Sequence, residues 1–354
     1  IRSCLVGSEM CIRDSLSSTN LSEGIGQVGG DSVSINDDGT IVAVNDYDGG
    51  KSYIYQYNSG TTWDEIGELA SGESNDTYFD QNASISLNKA GNIVAVGSTS
   101  STSNKGTVKI YRYSSGTSWT LMQTFTGVSS NEKIGFSVSL NGNGNIVAFS
   151  REYLYYGGQV QVWEYSNSDM TDGGSWSQLD VSITNALDAN LSSGSSNNYG
   201  GDRFGICISL NNDGNLLAVG LSYGNTQDGN QNTAGFRNHI GRVHVYEYAN
   251  SSWSKVQTQL AEPESDGDTQ SSQAFGYSVS FNDSGSNFVA GAPWYDSGTS
   301  QVGRVLVYET GFSTVTTNTI NVHAVPPDLV SDSVSIVSNN YDTTKAKAID
   351  EVTL

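Results

Sequence analysis

The residues of this chain that could do chemistry are a few histidines and many carboxylates. Its 354 residues include 3 histidines (His239, His244 and His323) and 37 acidic side chains. The sequence contains no His-x-x-x-His or Cys-x-x-Cys pair, no phosphate-binding glycine loop and no nucleophile elbow. Acidic pairs are plentiful, but nothing in their spacing places two of them at the separation that a glycosidase uses. We therefore expect a protein without catalytic activity.

One acidic stretch could bind a cation. Asp46 and Asp48 alternate with other residues in the sequence Asp-Tyr-Asp-Gly. Calcium takes about six to eight oxygen ligands, and carboxylates supply them well. These two residues are the best calcium candidates, and a solvated turn is the alternative interpretation. Nothing in the sequence requires any other cofactor.

The elements that must position these residues come from an internal repeat. A hairpin with an Asn-x-x-Gly turn occurs five times, in repeats that start near residues 30, 82, 135, 204 and 275. The asparagine offers a side-chain acceptor before the bend, and the glycine tolerates positive φ after it. In the first strand, residues such as Val33 and Ile35 alternate with serines, which predicts one apolar and one polar face. The turn glycines are Gly39, Gly91, Gly144, Gly214 and Gly285.

Each repeat continues with two more predicted strands. A third strand, such as "GRVHVYEY" from Gly241, follows a loop, and a weaker fourth strand usually opens at a tryptophan. The second and third strands are apolar on both faces, so each sheet must be covered on both sides. Stacked four-stranded sheets of this kind predict an all-β protein, a β-propeller of antiparallel blades. A solenoid is the alternative repeat architecture, although its repeats are usually shorter.

The last hairpin carries a family signature. Phe275-Gly276 followed by Gly291-Ala292-Pro293 resembles the FG-GAP repeat of integrin α-subunit propellers and bacterial surface proteins. The resemblance covers roughly residues 30–310, with degenerate motifs in the other four copies. Such propellers usually have more blades than the five visible here, so the resemblance implies a fragment of a larger ring, with a closed five-blade ring as the alternative. The calcium loop of the family is absent from turns such as residues 36–39, so its calcium sites are not carried over.

The domain boundaries follow from these patterns. Residues 1–15 share nothing with the repeats and resemble translated sequencing-adapter DNA, so they are interpreted as a non-native artefact. We assign residues 16–322 to the propeller. Residues 323–354 begin with the Pro326-Pro327 break and contain two strand-like stretches, which resemble the opening of an immunoglobulin-like sandwich.

Loop lengths indicate where a ligand would bind. The loops after the second and fourth strands vary in length between repeats and should lie at the same end of the blades. We expect that loop face to bind a protein or glycan ligand through aromatic side chains. The predicted ligand-binding residues are Tyr47, Tyr156, Tyr223, Phe236, Trp294 and Tyr295.

Charge and family resemblance narrow the function further. The net charge of −21 disfavours nucleic acid as a partner, and no apolar run approaches the roughly 20 residues of a spanning helix, so we expect no membrane insertion. The resemblance implies a non-catalytic binding or adhesion module in an extracellular or cell-surface location. The alternatives are a propeller enzyme acting on polysaccharide and a structural spacer.

Overall fold

The computed structural model places five four-stranded antiparallel sheets in a propeller arrangement, so the predicted fold class is confirmed. It describes residues 32–45, 50–59, 62–70, 84–130, 132–151, 158–184, 203–222, 241–260, 273–295, 303–311 and 348–352. Strand order within each sheet follows the order in the chain, so every blade is an up-and-down sheet that begins at the inner strand. The connections after the second and fourth strands therefore lie at one end.

The strands are grouped here by blade. The first blade contains β1 (Val33–Ile35), β2 (Ile41–Asn45), β3 (Lys51–Tyr57) and β4 (Trp63–Ala70). The second contains β5 (Ile85–Leu87), β6 (Ile93–Ser98), β7 (Thr107–Ser115) and β8 (Ser118–Thr126), with a four-residue turn, α1 (Ser101–Asn104), between β6 and β7. The third contains β9 (Ile134–Leu140), β10 (Ile146–Arg151), β11 (Gln159–Tyr165), β12 (Trp176–Gln178) and the extra strand β13 (Ile183–Thr184). The fourth contains β14 (Phe204–Leu210), β15 (Leu216–Leu221), β16 (Arg242–Ala249) and β17 (Ser252–Leu260), and the fifth β18 (Ser278–Phe281), β19 (Asn287–Ala292), β20 (Arg304–Glu309) and β21 (Ala348–Val352).

The fifth blade takes its fourth strand from the end of the chain. β21 pairs antiparallel with β20. In the other blades the fourth strand follows the third after a shorter connection, whereas here residues 310–347 intervene. Of these, residues 312–347 lie outside the described part of the chain, as do residues 1–31, so the immunoglobulin-like interpretation stays a prediction.

The hairpin turns use the asparagine and glycine as expected. In the third blade the Asn141 Oδ1 accepts the Ile146 N–H at 3.0 Å, and its Nδ2 donates to Asn145 Oδ1 at 3.0 Å. Gly144 closes the turn with a φ of +81°. The side-chain amide thus replaces the backbone partners that the bend removes. The other four turn glycines also have positive φ: Gly39, Gly91, Gly214 and Gly285.

Serine hydroxyls join consecutive inner strands. At the interface between the third and fourth blades, which we call a seam, the Ile208 N–H donates to Ser137 Oγ at 3.2 Å and the Leu210 N–H donates to Ser139 Oγ at 2.9 Å. The serines predicted only to form a polar face are therefore acceptors for the next blade. The equivalent bonds at the other seams run from Ile85 to Ser32, Leu87 to Ser34, Leu140 to Ser86, Phe281 to Ser209 and Val279 to the sulfur of Cys207.

Apolar side chains fill the same four seams. One cluster lies in each seam and joins side chains from the strands of one blade to side chains from the first, second and third strands of the next. At the sheet centres, Ala43, Ala95, Ala148 and Ala218 are all fully buried. Full burial of a larger side chain such as leucine contributes about 1.5–3 kcal/mol, so each seam is a substantial apolar interface.

The first and last blades lack this packing on one side. Val33 and Ile35 of the first inner strand are 61% and 58% exposed, whereas Ile85 and Leu87, their equivalents in the second blade, are 5% and 7% exposed. On the fifth blade Val289 occupies the position of the buried alanines and is 39% exposed, and Val305 on the same face is 45% exposed. The described parts of these two blades therefore form no seam with each other.

A buried ion pair fixes a connection between the second and third blades. Glu132 accepts the Val128 and Ser129 N–H groups with one carboxylate oxygen and binds Arg151 at 2.7 Å with the other. Burial alone would raise the pKa of Glu132, but the hydrogen bonds from Ser129, Arg151 and Val128 together outweigh it and lower that pKa. Glu132 therefore stabilises the fold in its ionised form.

Removing a seam hydroxyl should weaken the ring. In Ser139→Ala the buried Leu210 N–H loses its acceptor, and we expect the free energy of unfolding to fall by about 1–3 kcal/mol. Urea denaturation followed by circular dichroism measures this. Ser254→Ala, at an exposed position on β17, is the matched control and should change stability by less than about 0.5 kcal/mol. Equal effects of the two substitutions would contradict the role of the hydroxyl.

The ion pair predicts a pH dependence. A carboxylate with a lowered folded pKa contributes stability above its unfolded pKa of about 4.3, and that stability is lost as the pH falls through the folded pKa. Glu132→Gln should therefore be less stable than the unmodified chain at pH 7, and the difference should shrink below about pH 4. Urea titrations at both pH values measure the difference, and a gap that widens in acid would contradict this account.

Candidate binding site

The loops of one propeller end contact each other directly. The Lys133 N–H, in the connection that enters the third blade, donates to the Asn104 carbonyl in the loop after β6 at 3.1 Å. In the fifth blade the Trp294 N–H, after β19, donates to the carbonyl of Gln273, before β18, at 3.3 Å. Both pairs join a loop after a second strand to a connection into an inner strand. We call this end the loop face.

Two separate aromatic contacts of the fifth blade lie on the loop face, and we call their four side chains together the aromatic platform. The rings of Tyr277 and Trp294 lie with their centroids 6.1 Å apart and their planes tilted by 53°. Tyr277 is 47% exposed and Trp294 is partly exposed. The guanidinium carbon of Arg304 lies 4.9 Å from the ring centroid of Tyr295, which is a cation–π distance. Tyr277, Trp294, Tyr295 and Arg304 constitute the platform.

The rigid blade determines where the platform sits. Trp294 and Tyr295 follow the fully apolar end of β19, where Ala292 is buried. The Tyr295 N–H donates to the Ala292 carbonyl at 3.2 Å, and the Tyr295 carbonyl accepts the Gly303 N–H at 3.2 Å. Arg304, at the start of β20, is only 8% exposed. The aromatic rings are therefore attached to a fixed backbone, which limits the entropy lost when a ligand stacks on them.

Aromatic faces and a nearby cation can bind particular chemistry. Tyrosine and tryptophan present an apolar ring with a polar edge, which suits ligands that are apolar on one side and hydroxylated on the other. The Tyr277–Trp294 ring pair offers such a surface, and Arg304 contacts the ring of the next residue, Tyr295. This arrangement can bind a ligand, but it contains no nucleophile and no general base.

The opposite mouth of the channel is polar and ion-paired. A cavity of about 270 Å³ is lined there by the hairpin turns of all five blades. The Lys89 Nζ lies 2.7 Å from a carboxylate oxygen of Asp283 and 3.4 Å from one of Asp37. Hydrogen bonds to Asp283 and then Asp37 raise the pKa of Lys89. The lysine therefore stays protonated between the two carboxylates, and its amine is unsuited to act as a base or nucleophile.

His244 lies inside the propeller, on a strand of the fourth blade as predicted. It is 1% exposed, its Nδ1 lies 3.0 Å from the Thr258 hydroxyl, and its ring faces Phe204 and Tyr246. Burial, then the charges of Lys255 and Arg242, lower the pKa of His244 to about 3. The imidazole is therefore neutral at ordinary pH and shielded from substrates.

The structure describes only part of the predicted set of site residues, and their role in binding stays a prediction. Trp294 and Tyr295 are adjacent members of the platform. The sequence analysis did not identify Tyr277 or Arg304, although both stand beside repeat signatures, after Phe275-Gly276 and after Gly303. The remaining predicted residues lie outside the described part of the chain: Asp46, Tyr47, Asp48, Tyr156, Tyr223 and Phe236.

Two features of the described residues bear on metals and membranes. Within those ranges no group of three or more His, Cys, Asp or Glu side chains is arranged to hold a metal ion. The calcium candidates Asp46 and Asp48 lie outside those ranges, so their role stays a prediction. No helix among the described residues is long and apolar enough to cross a bilayer.

Comparison with known proteins finds distant matches among solved structures. No protein-family model and no curated protein matches the chain, so the FG-GAP identity stays a prediction from the residues. Hydrazine synthase from Kuenenia stuttgartiensis aligns at 12% identity with a TM-score of 0.47, over 84% of this chain and 66% of that chain. A periplasmic gluconolactonase from Pseudomonas aeruginosa aligns at 12% identity with a TM-score of 0.48, over 78% and 67%. TolB from Acinetobacter baumannii aligns at 14% identity with a TM-score of 0.42, over 79% and 51%, so this chain spans about half to two thirds of these structures.

Proposed function

We propose that this chain is a non-catalytic, extracellular or cell-surface binding module whose loop face binds a glycan. The observation that carries the proposal is the partly exposed Tyr277–Trp294 ring pair, which is fixed to the end of the fifth blade. Stacking of a sugar ring on such a surface buries apolar C–H faces while its hydroxyl groups remain available for hydrogen bonds. A protein ligand is the alternative partner for the same platform.

The enzyme alternative has weaker support. A polysaccharide hydrolase or lyase needs carboxylates placed beside a proton donor or acceptor that is free to react. At the channel mouth Asp37 and Asp283 converge, but both bind the ammonium group of Lys89. His244, a further acid–base candidate, is buried away from solvent. The described residues therefore supply binding groups more readily than catalytic ones.

The spacer alternative predicts a loop face without aromatic clustering. The platform contains three aromatic rings and one guanidinium group of a single blade, which form two pairwise contacts. Tyr277 is 47% exposed, although a spacer gains nothing from presenting such a side chain to solvent. This clustering favours a binding role over a purely structural one.

Substitution of the central tryptophan tests the proposal. The unmodified chain is screened against a glycan array, and each hit is titrated by calorimetry. We expect Trp294→Ala to weaken binding of the hit by about tenfold or more, because truncating an aromatic anchor typically costs about 2 kcal/mol or more. Leu121→Ala, which removes a 50% exposed side chain from the second blade, is the matched control and should bind as the unmodified chain does.

Two outcomes would decide between the candidates. Equal affinity of the Trp294→Ala and Leu121→Ala variants would remove the platform from the binding site. A flat array would overturn the glycan assignment and leave a protein ligand or a spacer. Repeating the titration with EDTA tests the separate prediction that Asp46 and Asp48 bind calcium. If that ion orders the loop face, its removal should lower the affinity for the glycan.

A further inference from the structure

The fifth blade exposes one unmatched half of the seam that joins all the other blades. At each described seam, serine or cysteine side chains of one inner strand accept N–H groups from the next. On the fifth blade the equivalent residues are Ser278 and Ser280, and among the described residues the Ser280 hydroxyl hydrogen-bonds only to the carbonyl of its neighbour Phe281, at 3.5 Å. Val289 and Val305 lie exposed on the same side of this sheet.

What fits this face is defined by the four seams already formed. The occupant must be an extended strand that offers two alternate N–H groups to Ser278 and Ser280. Its apolar side chains must alternate with small polar ones, so that the apolar ones pack against the exposed valines. Leu87 packs in the same way into the seam between the first and second blades. The inner strand β1 meets this description with the sequence Asp-Ser-Val-Ser-Ile at residues 31–35.

The chain contains the same five residues a second time. Residues 332–336 read Asp-Ser-Val-Ser-Ile, identical to residues 31–35. They belong to the stretch 310–347, which separates β20 from β21 of the fifth blade. Because β21 returns to that blade, both ends of the stretch are anchored on the sheet whose face is open.

We propose that the open face of the fifth blade binds residues 332–336 as a sixth inner strand. In this arrangement the Val334 N–H donates to Ser278 Oγ and the Ile336 N–H donates to Ser280 Oγ. The side chains of Val334 and Ile336 cover Val289 and Val305. The proposal is independent of the glycan-binding function, because it concerns the seam and not the loop face.

The lengths of chain on either side allow this placement. Residues 310–331 lead from β20 to the segment, and residues 337–347 return to β21. Eleven extended residues reach up to about 36 Å, whereas the strands of a four-stranded sheet span only about 15 Å. An intrachain segment also has a high effective concentration, which favours it over a second copy of the chain. If a second copy docked through its own inner strand, its other four blades would lie around the same axis. They would then occupy space that the first copy already fills.

Disulfide trapping tests the proposed register. The background variant replaces the native cysteines by serine: Cys4, Cys11 and Cys207. The Ser280→Cys/Ile336→Cys pair should form an intrachain disulfide. The Ser209→Cys/Phe281→Cys pair, at a described seam where the N–H donates to the hydroxyl at 3.0 Å, calibrates the rate. Moving one cysteine to Val337 turns its side chain to the opposite face and should slow trapping by about tenfold or more.

The outcomes separate this proposal from its competitors. The proposal would be overturned if the Ser280→Cys/Ile336→Cys variant formed its disulfide as slowly as the Ser280→Cys/Val337→Cys variant. It would also be overturned if the first variant formed disulfides only between chains. Circular dichroism of every variant confirms that each one folds. Hydrogen exchange on the cysteine-free background gives a decision that does not depend on disulfide geometry, because the proposal requires protected amides at Val334 and Ile336. Amides that exchange at the rate of an unfolded peptide would exclude the docked strand.

Discussion

The hydrogen bond from an inner-strand N–H to a serine hydroxyl of the preceding blade is the interaction on which this propeller depends. The inner strand of each sheet pairs with another strand of that sheet on one side only. Its other edge therefore carries N–H groups that need acceptors. A buried N–H without a partner costs about 1–3 kcal/mol. The serines meet this requirement from the neighbouring sheet, as Ser139 does for Leu210. The polar face of each such inner strand thus contacts the next blade, and its apolar face packs against the preceding one.

This constraint also explains how a loop surface can be held for binding. Each inner strand is hydrogen-bonded to its own blade and to its neighbour, so the blades act as fixed supports for the loops at their ends. The fifth blade carries Trp294 and Tyr295 directly after a buried strand end, and Arg304 at the start of the next strand. The platform therefore derives its geometry from the sheet and not from the loop itself. The same blade has an open face, so its support is complete on only one side.

The fold could be predicted from the sequence because its signals are local. The Asn-x-x-Gly turns and the doubly apolar second strands specify a hairpin and its burial without reference to distant residues, and Gly144 has the positive φ that its turn requires. The role of the serines could not be predicted in the same way. Alternation places Ser137 and Ser139 on one face of a strand, but only the packing of two blades shows that this face contacts an N–H group.

The contacts of the aromatic platform could be predicted less completely for the same physical reason. Trp294 and Tyr295 were identified as aromatic residues in a loop, which is a property of the sequence alone. Tyr277 and Arg304 could not be grouped with them in this way, because Tyr277 meets Trp294 only when the first strand pairs with the second, and Arg304 meets Tyr295 only when the third strand does. Contacts between separate elements need the tertiary arrangement, whereas turn chemistry does not.

Native-state hydrogen exchange at the inner strands tests the central claim most directly. The amides of Leu140, Leu210 and Phe281 donate across seams to serine hydroxyls. If those bonds hold the ring together, these amides exchange only through global unfolding, as slowly as the second-strand amides of Val147 and Leu217. Exchange at the rate of a frayed sheet edge, while Val147 and Leu217 stay protected, would contradict the account.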